Sequence, residues 1–194
     1  LHELIRARIL APLGLKHTFH GDEASAGAAR IHGYIRRQGK IIDTTPWYSH
    51  YGLADAGMHS TAVDLALFLE ALFATDRLLS KSMRAAMTHV GESDRSPSHY
   101  GIGIYVQRCP WRAGHWYTNN GVDPGYHADM MYFPVSDLAI VLVANASQGQ
   151  ADLVYERLLA AVMRFATERE CQTLQPGASR GARIGRFSAG TQGE

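Results

Sequence analysis

Leu138–Val143 reads Leu-Ala-Ile-Val-Leu-Val, six apolar residues without a charge, a proline or a glycine. An apolar run of this length without alternation fits a strand covered on both faces. Just upstream, Gly125–Phe133 alternates with a period of two at Tyr126, Ala128, Met130 and Tyr132, and His115–Thr118 is aromatic and β-branched. Turn formers separate these pieces: Asn119-Asn120-Gly121 with Asp123-Pro124-Gly125, then Pro134 with Ser136-Asp137. The stretch Gly114–Asn145 therefore predicts three neighbouring antiparallel strands, the last of them central, with helices as covering layers. It also puts the asparagines and glycines around Gly121 at a strand edge, where backbone amides can face a ligand.

The rest of the chain supplies the layers. Leu1, Leu4, Ile5, Ile9 and Leu10 mark a helix face that Pro12 and Gly14 end. A second helix is predicted over Ser60–Ala74, capped by Ser60 or Thr61 with Asp64 in its first turn. Two more follow, over Leu79–Met87 with Ser80 as cap and over Ala151–Arg169, the last suited to lying across a sheet. Ile31–Ile35 and Lys40–Ile42 read as a small hairpin around Gly39, and Tyr100–Gln107 as a strand with two glycines on one face. The expected fold class is α+β, an antiparallel sheet flanked by helices, occupying residues 1–170. Residues 171–194, rich in Gly, Ser and Arg, carry too little apolar area to repay their ordering and are expected to be a disordered tail.

Composition excludes several function classes. With 194 residues the chain holds one good core, and a net charge of +1 gives no reason to expect nucleic acid or an anionic membrane as partner. No apolar run approaches the roughly 18–20 residues that span a bilayer. Ten scattered histidines form no H-E-x-x-H and the two cysteines no C-x-x-C, so neither a metal nor another cofactor is expected; no phosphate loop is present. Cys109 and Cys171 are expected not to pair, because Cys171 opens a polar tail and nothing draws it to Cys109. The first residues resemble mid-helix and contain no signal peptide, so the chain is expected to be a fragment and its compartment stays open.

A nucleophile is hard to find. No G-x-S-x-G occurs, Ser49 and His50 are adjacent and sterically awkward as a pair, and Ser60 reads as a helix cap.

Several local patterns nevertheless stand in a recognisable order. Ile9–Thr18 (I-L-A-P-L-G-L-K-H-T) resembles a P-L-G-M-x-x-T turn, and Ala29–Tyr34 an A-x-G-Y strand start. Ala56–Phe68 (A-G-M-H-S-T-A-V-D-L-A-L-F) resembles A-G-G-L-x-S-T-x-x-D-L-x-x-F, and Tyr100–Ile104 resembles Y-G-L-G-W. Asn119–Ala128 resembles an H-x-G-x-x-x-G-Y/F-x-S turn, followed by closing strands in Y-F-P…V-L-V-A-N. In this order, over about Leu1–Phe165, they resemble the C-terminal part of the serine β-lactamase-like family, with its class C β-lactamases, D-alanyl-D-alanine carboxypeptidases and esterases.

The resemblance implies hydrolysis of an ester, amide or β-lactam through an acyl-enzyme, on a small-molecule or peptide-like substrate. It also shows what this chain lacks. The S-x-x-K nucleophile motif is absent, and Tyr117-Thr118-Asn119 spells Y-x-N in the wrong place for the family's proton-relay tyrosine. The third family element, K-T-G or H-x-G, has its counterpart in Asn119-Asn120-Gly121, which implies a substrate-facing wall with the Val122 N–H as oxyanion donor. Asn119 stands where Lys or His is usual and carries no charge, so attraction for a substrate carboxylate is expected to weaken. Taken by itself, Asn-Asn-Gly also reads as a tight turn. Tyr48, in the aromatic loop with Trp47 and Tyr51, is a candidate substrate contact at a cleft rim; a loop plugging a satellite core is the equal alternative. The chain alone is expected to be inactive and to self-associate through an exposed sheet edge. The alternative function is a non-catalytic binding or structural domain that keeps the fold.

Overall fold

The computed structural model describes residues 1–21, 31–48, 56–91, 97–109, 114–147 and 150–172. Five antiparallel strands form its main sheet in the order β5-β6-β7-β8-β9: β5 Ser98–Tyr100, β6 Tyr105–Arg108, β7 His115–Asp123, β8 Tyr126–Phe133 and β9 Leu138–Ala144. A smaller sheet joins the hairpin β2 Tyr34–Arg37 and β3 Lys40–Asp43 to β10 Ala146–Ser147, which runs parallel to β2. Two residues each of β1 (Phe19–His20) and β4 (Met58–His59) pair nearby.

Cross-strand partners share a face, so the register sorts the sheet into two sides. Met131 and Phe133, with Trp116, Ile140 and Leu142, turn towards the long helix α5 (Gln150–Gln172), where Ala166, Leu159 and Met163 meet them. Phe133 and Ala166 are fully buried. Burying a side chain such as Phe133 is worth about 1.5–3 kcal/mol. Tyr155 of α5 adds a polar pin: its hydroxyl donates to Asp129 Oδ2 at 2.7 Å and to the Leu142 carbonyl at 3.3 Å.

The opposite face carries Tyr117, Tyr132, Ala139 and Val141 by the same register. Phe73 stacks on Tyr117 and on Tyr132, with ring centroids 4.7 and 5.2 Å away. It belongs to a π-helical turn, Glu70–Ala74, that continues α3 (Ala62–Leu69). Thr61 caps α3 by accepting the Asp64 N–H. The neighbouring candidate, Ser60, instead meets Thr18 Oγ1 at 2.8 Å. Asp64, buried at the start of α3, accepts from the His17 N–H and the Thr18 hydroxyl. Two of the family-like segments, around Thr18 and around Ser60–Asp64, are thus one interlocked joint.

The N-terminal helix runs as α1 (His2–Ile5), a π-helical turn Arg6–Leu10 and α2 (Ala11–Leu13). Pro12 is tolerated in the last turn, and Gly14, at φ 71°, is where the helix stops. Leu10, Leu13 and Leu15 are buried against Ala71. Ser80 caps α4 (Lys81–Met87), as its position suggests.

Four expectations need correcting. First, β9 is an edge strand among the described residues, not a central one; α5 lies over one face and α3 only partly over the other, and none of its residues is fully buried. Second, Tyr100–Gln107 is two strands, because the chain reverses at Gly101–Ile104, where Gly101 N–H bonds the Ile104 carbonyl. A Cβ at Gly101 would fall on the Met87 carbonyl, which fixes the residue type there. Third, β2 is shifted to Tyr34–Arg37 from the expected Ile31–Ile35. Fourth, Cys109 is buried and disulfide-bonded, where no pairing was expected. The segment after Gln172, expected to be a disordered tail, lies outside the described residues. No described helix is long and apolar enough to cross a membrane.

Candidate substrate edge on strand β7

Asn119-Asn120-Gly121 is not a turn. β7 passes straight through it to Asp123, with Asn119 opposite Met130, Asn120 opposite Asp129, Gly121 opposite Ala128 and Val122 opposite His127. The hairpin turn comes later, at Pro124-Gly125. Asparagine and glycine are turn formers in isolation, but here cross-strand pairing with β8 outweighs that local preference.

On its other side β7 pairs with β6 only from His115 to Thr118. Beyond Thr118 no described strand continues that pairing, because β6 begins only at Tyr105, after the Gly101–Ile104 turn. Residues 119–123 therefore present an unpaired backbone edge. Asn120, Gly121 and Val122 are exposed, Val122 at 61%.

The direction of the amides follows from one hydrogen bond. Asn120 N–H donates to Asn119 Oδ1 at 2.9 Å, while Asn119 Nδ2 donates to the Gly103 carbonyl at 2.9 Å, on the β6 side. The Asn120 N–H thus points to the open edge. Strand amides repeat in direction every second residue, so the Val122 N–H points to the same edge, one step past the Asn119 bridge. Asn119 and Gly121 stand on the sheet face of Tyr132 and Val141, and Val122 on the α5 face.

Beneath that first face lies a groove of about 520 Å³ between α3 and the sheet, lined by Val63, Ala66, Leu67, Glu70, Tyr132 and Val141. Val63 is 69% exposed. A β-branched residue so open on a helix flanking a sheet leaves this apolar surface without cover from the described chain.

Tyr48 sits at the far end of β7, in the 3₁₀ turn Thr45–Tyr48. Its hydroxyl donates to the Pro124 carbonyl at 2.9 Å and its ring meets Tyr126 edge-on at 5.5 Å. Trp47 beside it is 52% exposed. The other half of the aromatic loop, from Ser49 to Asp55, lies outside the described residues. Sequence reasoning missed Thr44 and Ser147, which also reach this turn: Thr44 Oγ1 donates to the Pro124 carbonyl at 2.9 Å, and Gly125 N–H donates to Ser147 Oγ at 2.6 Å. Their separations of 80 and 22 residues left no local signal.

Among the described residues, two groups on these strands depart from their ordinary pKa values. His115, at the start of β7, is held below its usual value by burial and then by Arg108. Asp43, at the end of β3, is lowered to about 2 by its hydrogen bond from His32 Nδ1 at 2.6 Å and by those from Thr45. Among the described residues no group of His, Cys, Asp or Glu is placed to hold a metal ion.

The sequence matches the Beta-lactamase family over residues 1–163. The chain belongs to that family. Solved structures agree on the fold. A penicillin-binding protein from Bacillus halodurans aligns with TM-score 0.70 at 23% identity, covering 84% of this chain and 48% of its own. An octameric penicillin-binding protein homologue from Pyrococcus abyssi aligns with TM-score 0.68 at 22% identity, covering 87% and 39%. A D-amino acid amidase from Ochrobactrum anthropi aligns with TM-score 0.54 at 24% identity, covering 82% and 54%. The beta-lactamase-family chain thus spans about half the length of these relatives or less. No curated protein sequence matches it.

Proposed function

We propose that this chain is the C-terminal portion of a serine acyl hydrolase that cleaves an ester, amide or β-lactam through an acyl-enzyme. One observation carries the reading: the unpaired edge of β7 past Thr118, on which the amide after Gly121 points outward. In the longer polypeptide a serine in an S-x-x-K motif attacks the substrate carbonyl and its proton passes to the lysine; the leaving group departs protonated, and water then releases the acyl group. The Val122 N–H is the oxyanion donor, where a preorganised amide is worth most because charge develops on the carbonyl oxygen. Asn119, Asn120 and Gly121 form the substrate wall. The uncovered groove beside α3 receives part of the upstream half.

A non-catalytic binding domain is the second reading, favoured by Asn119: its carboxamide is neutral and already bridges Asn120 and Gly103. A fluorophosphonate and a fluorescent penicillin separate the two. The longer protein takes up one equivalent of either probe and this chain alone takes up none. Stoichiometric labelling of the 194-residue chain would overturn the assignment of the nucleophile to the upstream half, and no labelling of the longer protein would favour the binding domain.

A further inference from the structure

The turn joining β7 to β8 is of an unfavourable kind for a hairpin. Asp123 pairs with Tyr126, so Pro124 and Gly125 are its two central residues. The favoured two-residue hairpin turns, types I′ and II′, both need positive φ at the first central position. Proline's ring fixes φ near −65° and forbids it. With Gly125 at φ 90° the pair fits a type II turn, whose twist splays the flanking strands. The β2–β3 hairpin of the same chain makes the contrast: Gln38 and Gly39 have φ 51° and 78°, the signature of type I′.

An isolated Pro-Gly turn of this type would let the end of β7 swing away from β8. Instead it is held from outside. The Pro124 carbonyl accepts from Thr44 Oγ1 and from the Tyr48 hydroxyl, both at 2.9 Å. The Gly125 N–H is held by Ser147 Oγ, and Tyr126 OH lies 3.2 Å from Thr45 Oγ1 and donates to the Ile31 carbonyl at 3.1 Å. Thr44 is fully buried, and its backbone N–H binds the Gly33 carbonyl at 2.9 Å. The contact is close enough that a Cβ on Gly125 would fall on the Thr44 hydroxyl. All these donors and acceptors come from the exit of β3, the segment before β2, and β10, so the small sheet grips the tip of the large one.

We propose that Thr44 is a positioning residue: with Tyr48 and Ser147 it clamps the β7–β8 turn and so fixes where the open edge at Val122 stands. Val122 lies two residues from the clamped carbonyl, with no strand on its outer side to steady it. The clamp thus holds this end of β7 from outside the β7–β8 pair. Tyr48 then acts through the turn, by its hydroxyl on Pro124, before any substrate is considered. That the clamped edge serves acyl transfer rests on the function proposed above; that the clamp exists does not.

The test uses two readouts. Amide hydrogen exchange on this chain compares wild type with Thr44→Val, Thr44→Ser and Tyr48→Phe; Thr44→Val keeps the shape and removes the donor. Exchange at Gly121 and Asp123, whose amides alternate with that of Val122 and so face β8, is expected to rise about tenfold in Thr44→Val, with β9 amides unchanged, and to return in Thr44→Ser. Tyr48→Phe, at a half-exposed site that leaves the core intact, gives a smaller rise at the same amides. Unchanged exchange there in both Thr44→Val and Tyr48→Phe overturns the clamp. The longer protein carrying the same changes is labelled with the fluorophosphonate. Faster exchange with labelling slowed about tenfold at saturating probe, restored by Thr44→Ser, supports the full proposal. Faster exchange with unaltered labelling overturns the positioning role for acyl transfer and leaves the clamp standing. If the unmodified longer protein does not label at all, the proposed function fails, and the exchange result alone decides the clamp.

Discussion

Asp64 offers a prediction whose size follows from its partners. Replacing it by alanine strands the His17 N–H, which it accepts at 2.9 Å, and frees the Thr18 hydroxyl, which it accepts at 2.8 Å. A hydrogen bond to a charged acceptor contributes about 1.5–3 kcal/mol, so the backbone bond alone accounts for that much. The Thr18 loss is smaller, because its hydroxyl also lies 2.8 Å from Ser60 Oγ and can turn to it. Removing a carboxylate from the first turn of α3 adds about 0.3–1 kcal/mol of lost dipole interaction. The sum is about 3 kcal/mol, against about 1.5 kcal/mol for Thr18→Val, which loses a single hydrogen bond to the same charged acceptor. Urea unfolding of the two variants and their combination measures it, with an unchanged slope m required for the comparison. The double variant should cost less than the sum of the singles by about 0.5–1 kcal/mol, since the Thr18–Asp64 bond is counted twice. A loss below about 1 kcal/mol for Asp64→Ala, or strict additivity, would refute the idea that this carboxylate joins the α2–β1 turn to α3.

Restoring a cation at the substrate wall, as Asn119→Lys in the longer protein, is expected to raise kcat/KM for carboxylate-bearing substrates about tenfold and to leave neutral esters unchanged, read by steady-state kinetics. Asp43, lowered from 3.8 to about 2, stabilises the fold above about pH 4, and that contribution disappears as pH falls through about 2; in His32→Ala a carboxyl NMR titration should find Asp43 back towards its usual value. Tyr155 is pushed up, first by burial and then by its bond to Asp129, so its stabilising effect is complete below the ordinary tyrosine range and is lost as pH rises beyond it. Tyr155→Phe should remove that alkaline dependence and cost about 1–2 kcal/mol in thermal or urea unfolding, because the Asp129 carboxylate loses a donor. A charge on the open β9 edge, Val143→Lys, should reduce self-association of the isolated chain in sedimentation velocity.

The sheet was legible where local pattern and tertiary role agree. Tyr126, Ala128, Met130 and Tyr132 alternate because β8 is paired on both sides and faces two different layers. Leu138–Val143 forms a strand as its apolar run predicts, but the expected full cover is only partial on the α3 side, and its place in the strand order is invisible to sequence because helix cover and strand neighbours favour the same run. Asn119–Gly121 misled as a turn because propensity is local, whereas its partner strand lies downstream. Motif order singles out the β7 margin as the candidate site; its openness depends on where β6 starts, and the two glycines that decide this read in sequence as one face of a longer strand. Thr44 and Ser147 gave no signal at all, because a hydroxyl bonding a carbonyl 80 residues away has no sequence period. The bonded Cys109 was missed for the same reason: its partner is chosen by the fold rather than by spacing.

The reversal at Gly101–Ile104 has a consequence beyond geometry. It acts as a ruler, cutting β6 short so that β7 runs on for five residues with no partner on that side among the described residues. Each residue added to the start of β6 would cover one more position of that ledge, so only an extension matching all of 119–123 would turn it into ordinary sheet. How much of the β7 margin stays open is thus set by the length of one small hairpin, and insertions or deletions there would widen, narrow or close it.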